Sequence, residues 1–203
     1  MNLTQLKKQL AKAAAEPSPE RRGVFVANVI SKALQPLGEH PVLVGGSAVA
    51  FYTSAQYTTN DIDMIAVGGP KVSTRMLELG FRRCGKDYVH DELALYVEFP
   101  SSSLGPGERW ITLDLGKDQL RIISIEDLIV DRLNHYKYFQ STIDALNVMM
   151  LLELPNLDMG EIEKKAQIED TLDALDYINR VQKKIIRKKL NKEEANNLLK
   201  RYF

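Results

Sequence analysis

The chain has 203 residues, equal numbers of basic and acidic side chains (27 each) and a hydrophobic fraction of 44%, enough for one ordinary domain with an appendage and a proper core. Zero net charge gives no global pull towards nucleic acid, and the single cysteine, Cys84, excludes an intramolecular disulfide or a cysteine metal cluster. No apolar run approaches the roughly 20 residues of a membrane span and the polar N-terminus is unlike a signal peptide, so a cytoplasmic protein is expected.

Residues 1–15 read as a helix from the spacing of Leu3, Leu6 and Leu10. Glu16-Pro17-Ser18-Pro19-Glu20 interrupts the pattern, and Phe25, Val26, Val29, Ile30, Leu34 and Leu37 mark a second helix that stops at Gly38. Val42-Leu43-Val44 is a short β-branched run broken by Gly45-Gly46, which reads as a buried strand and a tight turn. A short helix over 48–52, a polar loop over 53–60 and a second strand over 61–67 follow, with Gly68-Gly69-Pro70 as its turn. A helix over 72–79 closes at Gly80. Then come a short strand over 81–84, a turn at Gly85-Lys86-Asp87, and a stronger strand over 93–99. Two more strands, 110–115 and 120–123, flank the hairpin turn Gly116-Lys117-Asp118.

Ser124 with Asp127 three residues on is a variant capping box for a helix through Leu128, Ile129, Leu133 and Tyr136. A helix over 142–152 follows, and from Met159 the chain reads as helical and highly charged to its end. Residues 180–203 hold nine Lys or Arg and two Glu. This net +7 is either the solvated face of a packing helix or a hint of a polyanionic partner. His40, His90 and His135 lack ligand spacing and read as surface or loop histidines. Cys84 reads as a buried or half-buried filler. The expected divisions are N-terminal helices over 1–40, a core over 41–155 and a charged helical region over 156–203.

The chemistry concentrates between Val42 and Ile65. Glycines let a backbone approach a ligand closely, and N–H groups entering a helix N-terminus attract anions. Gly45 and Gly46 provide both features, and the Ser47 hydroxyl could cap that helix or bond a phosphate oxygen. In Asp61-Ile62-Asp63, strand alternation puts both carboxylates on one face, about 7 Å apart, and buries the isoleucine. Such a pair can share a hard cation. Mg²⁺, which binds carboxylates together with substrate phosphates, is the natural candidate.

Gly-Gly-Ser, a spacer, and then Asp-hydrophobic-Asp resembles the signature of the nucleotidyltransferase superfamily related to DNA polymerase beta. Within it the likeness is to the small bacterial branch that includes AbiEii-type toxins, and it covers roughly residues 41–152. The resemblance implies an α/β (α+β) fold, a small mixed sheet with helices packed on one side, followed by a helical C-terminal region. It also implies a Mg²⁺-dependent enzyme that moves a nucleoside monophosphate from an NTP to a hydroxyl on RNA, protein or a small molecule. Asp61 and Asp63 would hold two Mg²⁺ ions, and Gly45, Gly46 and Ser47 the β- and γ-phosphates. The family also uses a third carboxylate on a neighbouring strand. Glu98, in Tyr96-Val97-Glu98-Phe99, and Asp114, in Thr112-Leu113-Asp114-Leu115, both have the required setting. Glu98 is preferred, because Asp114 precedes a hairpin turn, where aspartate is common for other reasons.

Ser124-Ile125-Glu126-Asp127-Leu128 matches a further family pattern, with Arg132 in place of the usual lysine and Asp144 as the later acid. Arg132 could reach a triphosphate or pair with Asp144 between helices. Two departures stand out: the spacer between Gly46 and Asp61 is long for the family, and Tyr57 occupies the position where relatives carry an arginine. In the toxin-like branch the acceptor is often tRNA or a partner protein, within a toxin–antitoxin setting. The alternative is a catalytically weak relative acting as a regulatory or antitoxin-like partner. A third possibility is a nucleic-acid binder working through the basic tail.

Overall fold

The computed structural model describes residues 2–57 and 59–203, with the backbone alone at Lys192. The described chain forms two compact units, Met1–Ser124 and Ile125–Phe203. The helices over 125–152, which the sequence reading groups with the 41–155 core, therefore cluster with the C-terminal helices.

In the first unit α1 (Leu3–Ala14) begins with a reciprocal capping box between Asn2 and Gln5 and buries Leu6 and Leu10. It packs on α2 (Pro19–Leu34), whose proline stands at the first turn, where no N–H is needed. A single 3-10 turn over Gln35–Leu37 ends at Gly38, with a left-handed φ of +83°. There follow β1 (Val42–Leu43), α3 (Gly45–Tyr52), β2 (Asp61–Ile65) and α4 (Pro70–Leu79). Then come β3 (Arg82–Cys84), β4 (Asp87–His90), β5 (Leu95–Glu98), β6 (Trp110–Asp114) and β7 (Gln119–Ile123).

The strands form one seven-stranded mixed sheet in the order β3-β4-β5-β2-β1-β7-β6. The β2–β5 and β1–β7 pairs are parallel and the remaining pairs antiparallel. The register aligns Leu43, Ile62, Met64, Val97, Leu120 and Ile122 on one face. All six are buried, and α2 packs on β2 and β7. The opposite face carries Asp61, Asp63, Tyr96 and Glu98. This division of apolar and acidic faces is what the alternation in Asp61-Ile62-Asp63 predicts.

Three sequence expectations need correction. Cys84 is exposed, because β3 is an edge strand. His90 is buried, set edge-on to Phe81, in space that Gly80 leaves open: a Cβ there would stand 2.7 Å from His90 Nε2. The helical run from Met159 is not continuous, since left-handed residues Asp170 and Lys189 interrupt it. The strand β4 also goes beyond the sequence reading, which stops at a turn there.

The second unit is all helical: α5 (Ile125–Phe139), α6 (Thr142–Leu152), α7 (Met159–Ile168), α8 (Leu172–Lys188) and α9 (Lys192–Leu199). Its buried residues include Leu128, Leu133, Leu151, Ile162, Leu175, Ile178, Leu199 and Tyr136; the Tyr136 hydroxyl donates to the Leu199 carbonyl at 2.8 Å. Asp127, also buried, pairs with Lys165. No helix among the described residues is long and apolar enough to cross a membrane.

Candidate functional site

The parallel register sets Asp61 opposite Tyr96 and Asp63 opposite Glu98. Two acids from β2 and one from β5 therefore share a face, although the strands are far apart in sequence. Asp114, the other candidate for a third acid, is on β6, at one edge of the sheet. There it accepts a hydrogen bond from Gly116 N–H at 2.8 Å, fixing the hairpin turn.

The glycine turn reaches the acids directly. Gly45 starts α3 with φ +60°, and a Cβ on it would lie 2.1 Å from Asp63 Oδ2. Only glycine combines this conformation with this closeness. The Gly46 N–H donates to the same Oδ2 at 3.2 Å, so the anion-seeking end of α3 holds a carboxylate of the protein's own. A Cβ on Gly46 would meet Thr59 and Tyr57 at 3.2–3.3 Å, so Tyr57 stands against the turn. Ser47 does not cap α3, whose N-cap is Val44. It is buried and its hydroxyl donates to the Asp61 carbonyl at 2.8 Å, tying the turn to the acidic strand.

A fourth acid lies beside these, and sequence reasoning misses it. Asp87 precedes the Tyr88–Val97 pair on β4 just as Glu98 follows it on β5, which makes the two acids neighbours on one face. Asp87 is 9% exposed. Its Oδ2 accepts from the Tyr96 hydroxyl at 2.9 Å, while its Oδ1 is buried with no hydrogen-bond partner. The short β-prone run Tyr88-Val89 after Gly85-Lys86 is the one signal that could have marked a strand here.

Like charges dominate the electrostatics. Burial first, then the Asp63, Asp87 and Asp61 carboxylates, push the Glu98 carboxyl above its usual range, with Lys86 acting the other way. The hydrogen bond to Asp87, followed by burial and the charges of Asp87 and Glu98, pushes the Tyr96 phenol up to about 12. Such a concentration of negative potential attracts a cation. Among the described residues no three His, Cys, Asp or Glu side chains converge to hold a metal by themselves. Asp61, Asp63 and Glu98 nonetheless offer only carboxylate oxygens, and beside them Asp87 Oδ1 is buried and unpartnered. That suits Mg²⁺, which takes one or two carboxylates and completes its shell with phosphate oxygens and water.

Arg132, on α5, donates to Asp144 of α6 at 2.9 Å and to its neighbour Asp131 at 3.0 Å. Its side chain is 12% and that of Asp144 11% exposed, so the guanidinium joins two helices within the second unit. Elsewhere on the first unit, a cavity of about 560 Å³ is lined by Lys32, His40, Trp110, Lys117 and Arg121 among others. It includes none of Asp61, Asp63, Asp87 and Glu98.

No family model and no curated protein matches the chain. Among solved structures, an antigenic nucleotidyltransferase-like protein from Paracoccidioides brasiliensis is similar, with a TM-score of 0.52 and 14% sequence identity. The match covers 95% of this chain and 93% of that one. At this identity the likeness is one of fold: the protein has a nucleotidyltransferase-like α/β fold with a helical C-terminal region.

Proposed function

We propose that this protein is a Mg²⁺-dependent nucleotidyltransferase that moves a nucleoside monophosphate from an NTP to a hydroxyl on RNA, protein or a small molecule. The observation that carries this reading is the side-by-side register of Asp63 and Glu98, next to a glycine turn whose N–H already binds Asp63.

Asp61, Asp63 and Glu98 are the residues that would hold Mg²⁺. When bound, the metal supplies a lowered pKa for the attacking hydroxyl and neutralises charge on the leaving pyrophosphate. Gly45 and Gly46 leave room for the phosphates. The Gly46 N–H, which donates to Asp63 Oδ2, would be available to a phosphate oxygen were Asp63 to hold a cation instead. Ser47 keeps the turn in step with β2, and its hydroxyl is a second donor for phosphate if released from the Asp61 carbonyl. Arg132, a candidate phosphate ligand by sequence, is assigned here to the α5–α6 pairing.

The branch with AbiEii-type toxins is the setting we favour, on the Gly-Gly-Ser and Asp-Ile-Asp motifs and on Ser124-Ile125-Glu126-Asp127-Leu128. The acceptor in that setting is tRNA or a partner protein. One observation favours the second reading, a catalytically weak regulatory or antitoxin-like partner: Tyr57 stands against Gly46 where relatives carry a cation.

Calorimetric titration of Mg²⁺ with each of the four NTPs separates the two. Metal-dependent binding to the wild type that is lost in both Asp61→Asn and Asp63→Asn supports the enzyme and identifies the donor. Absence of binding by every nucleotide overturns it in favour of the partner reading.

A further inference from the structure

We propose that the exposed face of α8 is a docking surface for the phosphate backbone of RNA. This goes beyond the nucleotide site and does not depend on it. Arg180, Lys183, Lys184, Arg187 and Lys188 recur at three- and four-residue intervals along α8, which places all five on one stripe of the helix. The opposite stripe, Ala174, Leu175, Ile178 and Val181, is buried within the second unit.

Ordinary helix chemistry explains only part of this stripe. Cations in a last turn complement the helix dipole, which accounts for Arg187 and Lys188 but not for Arg180, Lys183 and Lys184 further back. Like charges at three- and four-residue spacing repel, and residues 180–192 contain no acid to relieve them. The two acids of α8 near its start do not form ion pairs with the stripe: Asp173 is engaged by Lys137 and Tyr202. Arg180 lies over the Tyr177 ring, and the other four have no ion pair among the described residues.

The geometry suits a polyphosphate backbone. From Arg180 to Lys188 the helix rises about 12 Å. A single strand of a B-form duplex presents one phosphate per roughly 3.4 Å of axis, about three to four over that length. Five cations thus meet a comparable number of phosphates. A membrane surface is a poorer match, because Ala174, Leu175, Ile178 and Val181 are packed inside the unit, which leaves Ile186 as the large apolar side chain that α8 exposes.

The test is fluorescence anisotropy of the full chain with a labelled RNA hairpin, in chelator and without nucleotide, at several salt concentrations. The wild type is expected to bind with log affinity falling against log salt at a slope of about −3 to −5. The K183Q/K184Q/R187Q/K188Q variant is expected to weaken binding at least tenfold and flatten the slope. The charge-reversal variant K183E/R187E, which alters only two exposed positions, checks the assignment should the quadruple variant fail to fold. RNA binding that is absent, or unchanged in folded variants, overturns the proposal. So does capture by vesicles containing phosphatidylserine in the absence of RNA binding. Intact Mg²⁺–NTP titration in the same variants separates this outcome from failure of the nucleotide site.

Discussion

The Gly46 N–H donates to Asp63 Oδ2 at 3.2 Å across 17 residues of sequence, which makes the glycine turn and the acidic strand one structural unit. Gly45, next to it, has φ +60° and no room for a side chain beside the same carboxylate. In Gly45→Ala the left-handed backbone alone costs about 1–2 kcal/mol, and the collision with Asp63 adds to it. Gly38→Ala has the same kind of backbone strain but no atom within 4 Å of the new Cβ. Urea unfolding is expected to show the larger loss for Gly45→Ala. Equal losses would remove Asp63 from the explanation.

Glu98 is a carboxylate whose proton affinity is raised by burial and by like charges. Its folded state therefore binds a proton more tightly than its unfolded state, and its contribution to stability declines as pH rises from the ordinary glutamate range through the raised value. Glu98→Gln removes the repulsion at pH 7 and makes no difference at pH values below the ordinary glutamate pKa. A rise in Tm of about 1–2 °C is expected at neutral pH, small because the side chain is partly solvated. Thermal scans across pH test it, and a variant less stable than wild type at pH 7 contradicts it.

Asp87 has one oxygen bonded to the Tyr96 hydroxyl and one without a partner. Tyr96→Phe leaves the buried carboxylate with no donor on either oxygen, and buried unpaired acceptors are destabilising. Tm is expected to fall by a few degrees, and Asp87→Asn on the Tyr96→Phe background to recover part of the loss by removing the charge. If Tyr96→Phe is neutral, the hydrogen bond contributes nothing.

Arg132 and Asp144 form a mostly buried pair between α5 and α6. Arg132→Ala leaves the acid with only His135 Nδ1, at 3.7 Å, as a side-chain partner among the described residues and is expected to cost up to about 3 kcal/mol in denaturant unfolding, while Asp144→Asn on that background restores part of it. A cost near zero would show that the guanidinium is not needed for the helix packing and is available to a ligand.

Local pattern reveals the Gly-Gly-Ser turn, the Asp-Ile-Asp strand and the helices of the first unit, because Leu6, Leu10, Val26 and Ile30 repeat with the helical period. It does not reveal strand order. Glu98 and Asp114 have nearly the same flanking residues, and only the sheet separates one beside β2 from one at an edge. Asp87 is hidden because its strand is four residues long and starts at a turn. Cys84 and His90 illustrate the same limit: a small thiol is exposed because its strand has one neighbour, and an imidazole is buried because Gly80, ten residues earlier, has no side chain.

The β2–β5 pairing also sets an order of events in folding. β2 ends at Ile65 and β5 begins at Leu95, so about 30 residues must fold back before the parallel pair closes, and such non-local pairing is slow compared with local helix and hairpin formation. A chain emerging during synthesis has its glycine turn and both acids of β2 well before Glu98 can join them. The β1–β7 pair, with Leu43 opposite Ile122, closes a longer loop still, and any chain in which β2 and β5 have not paired lacks the complete negative centre.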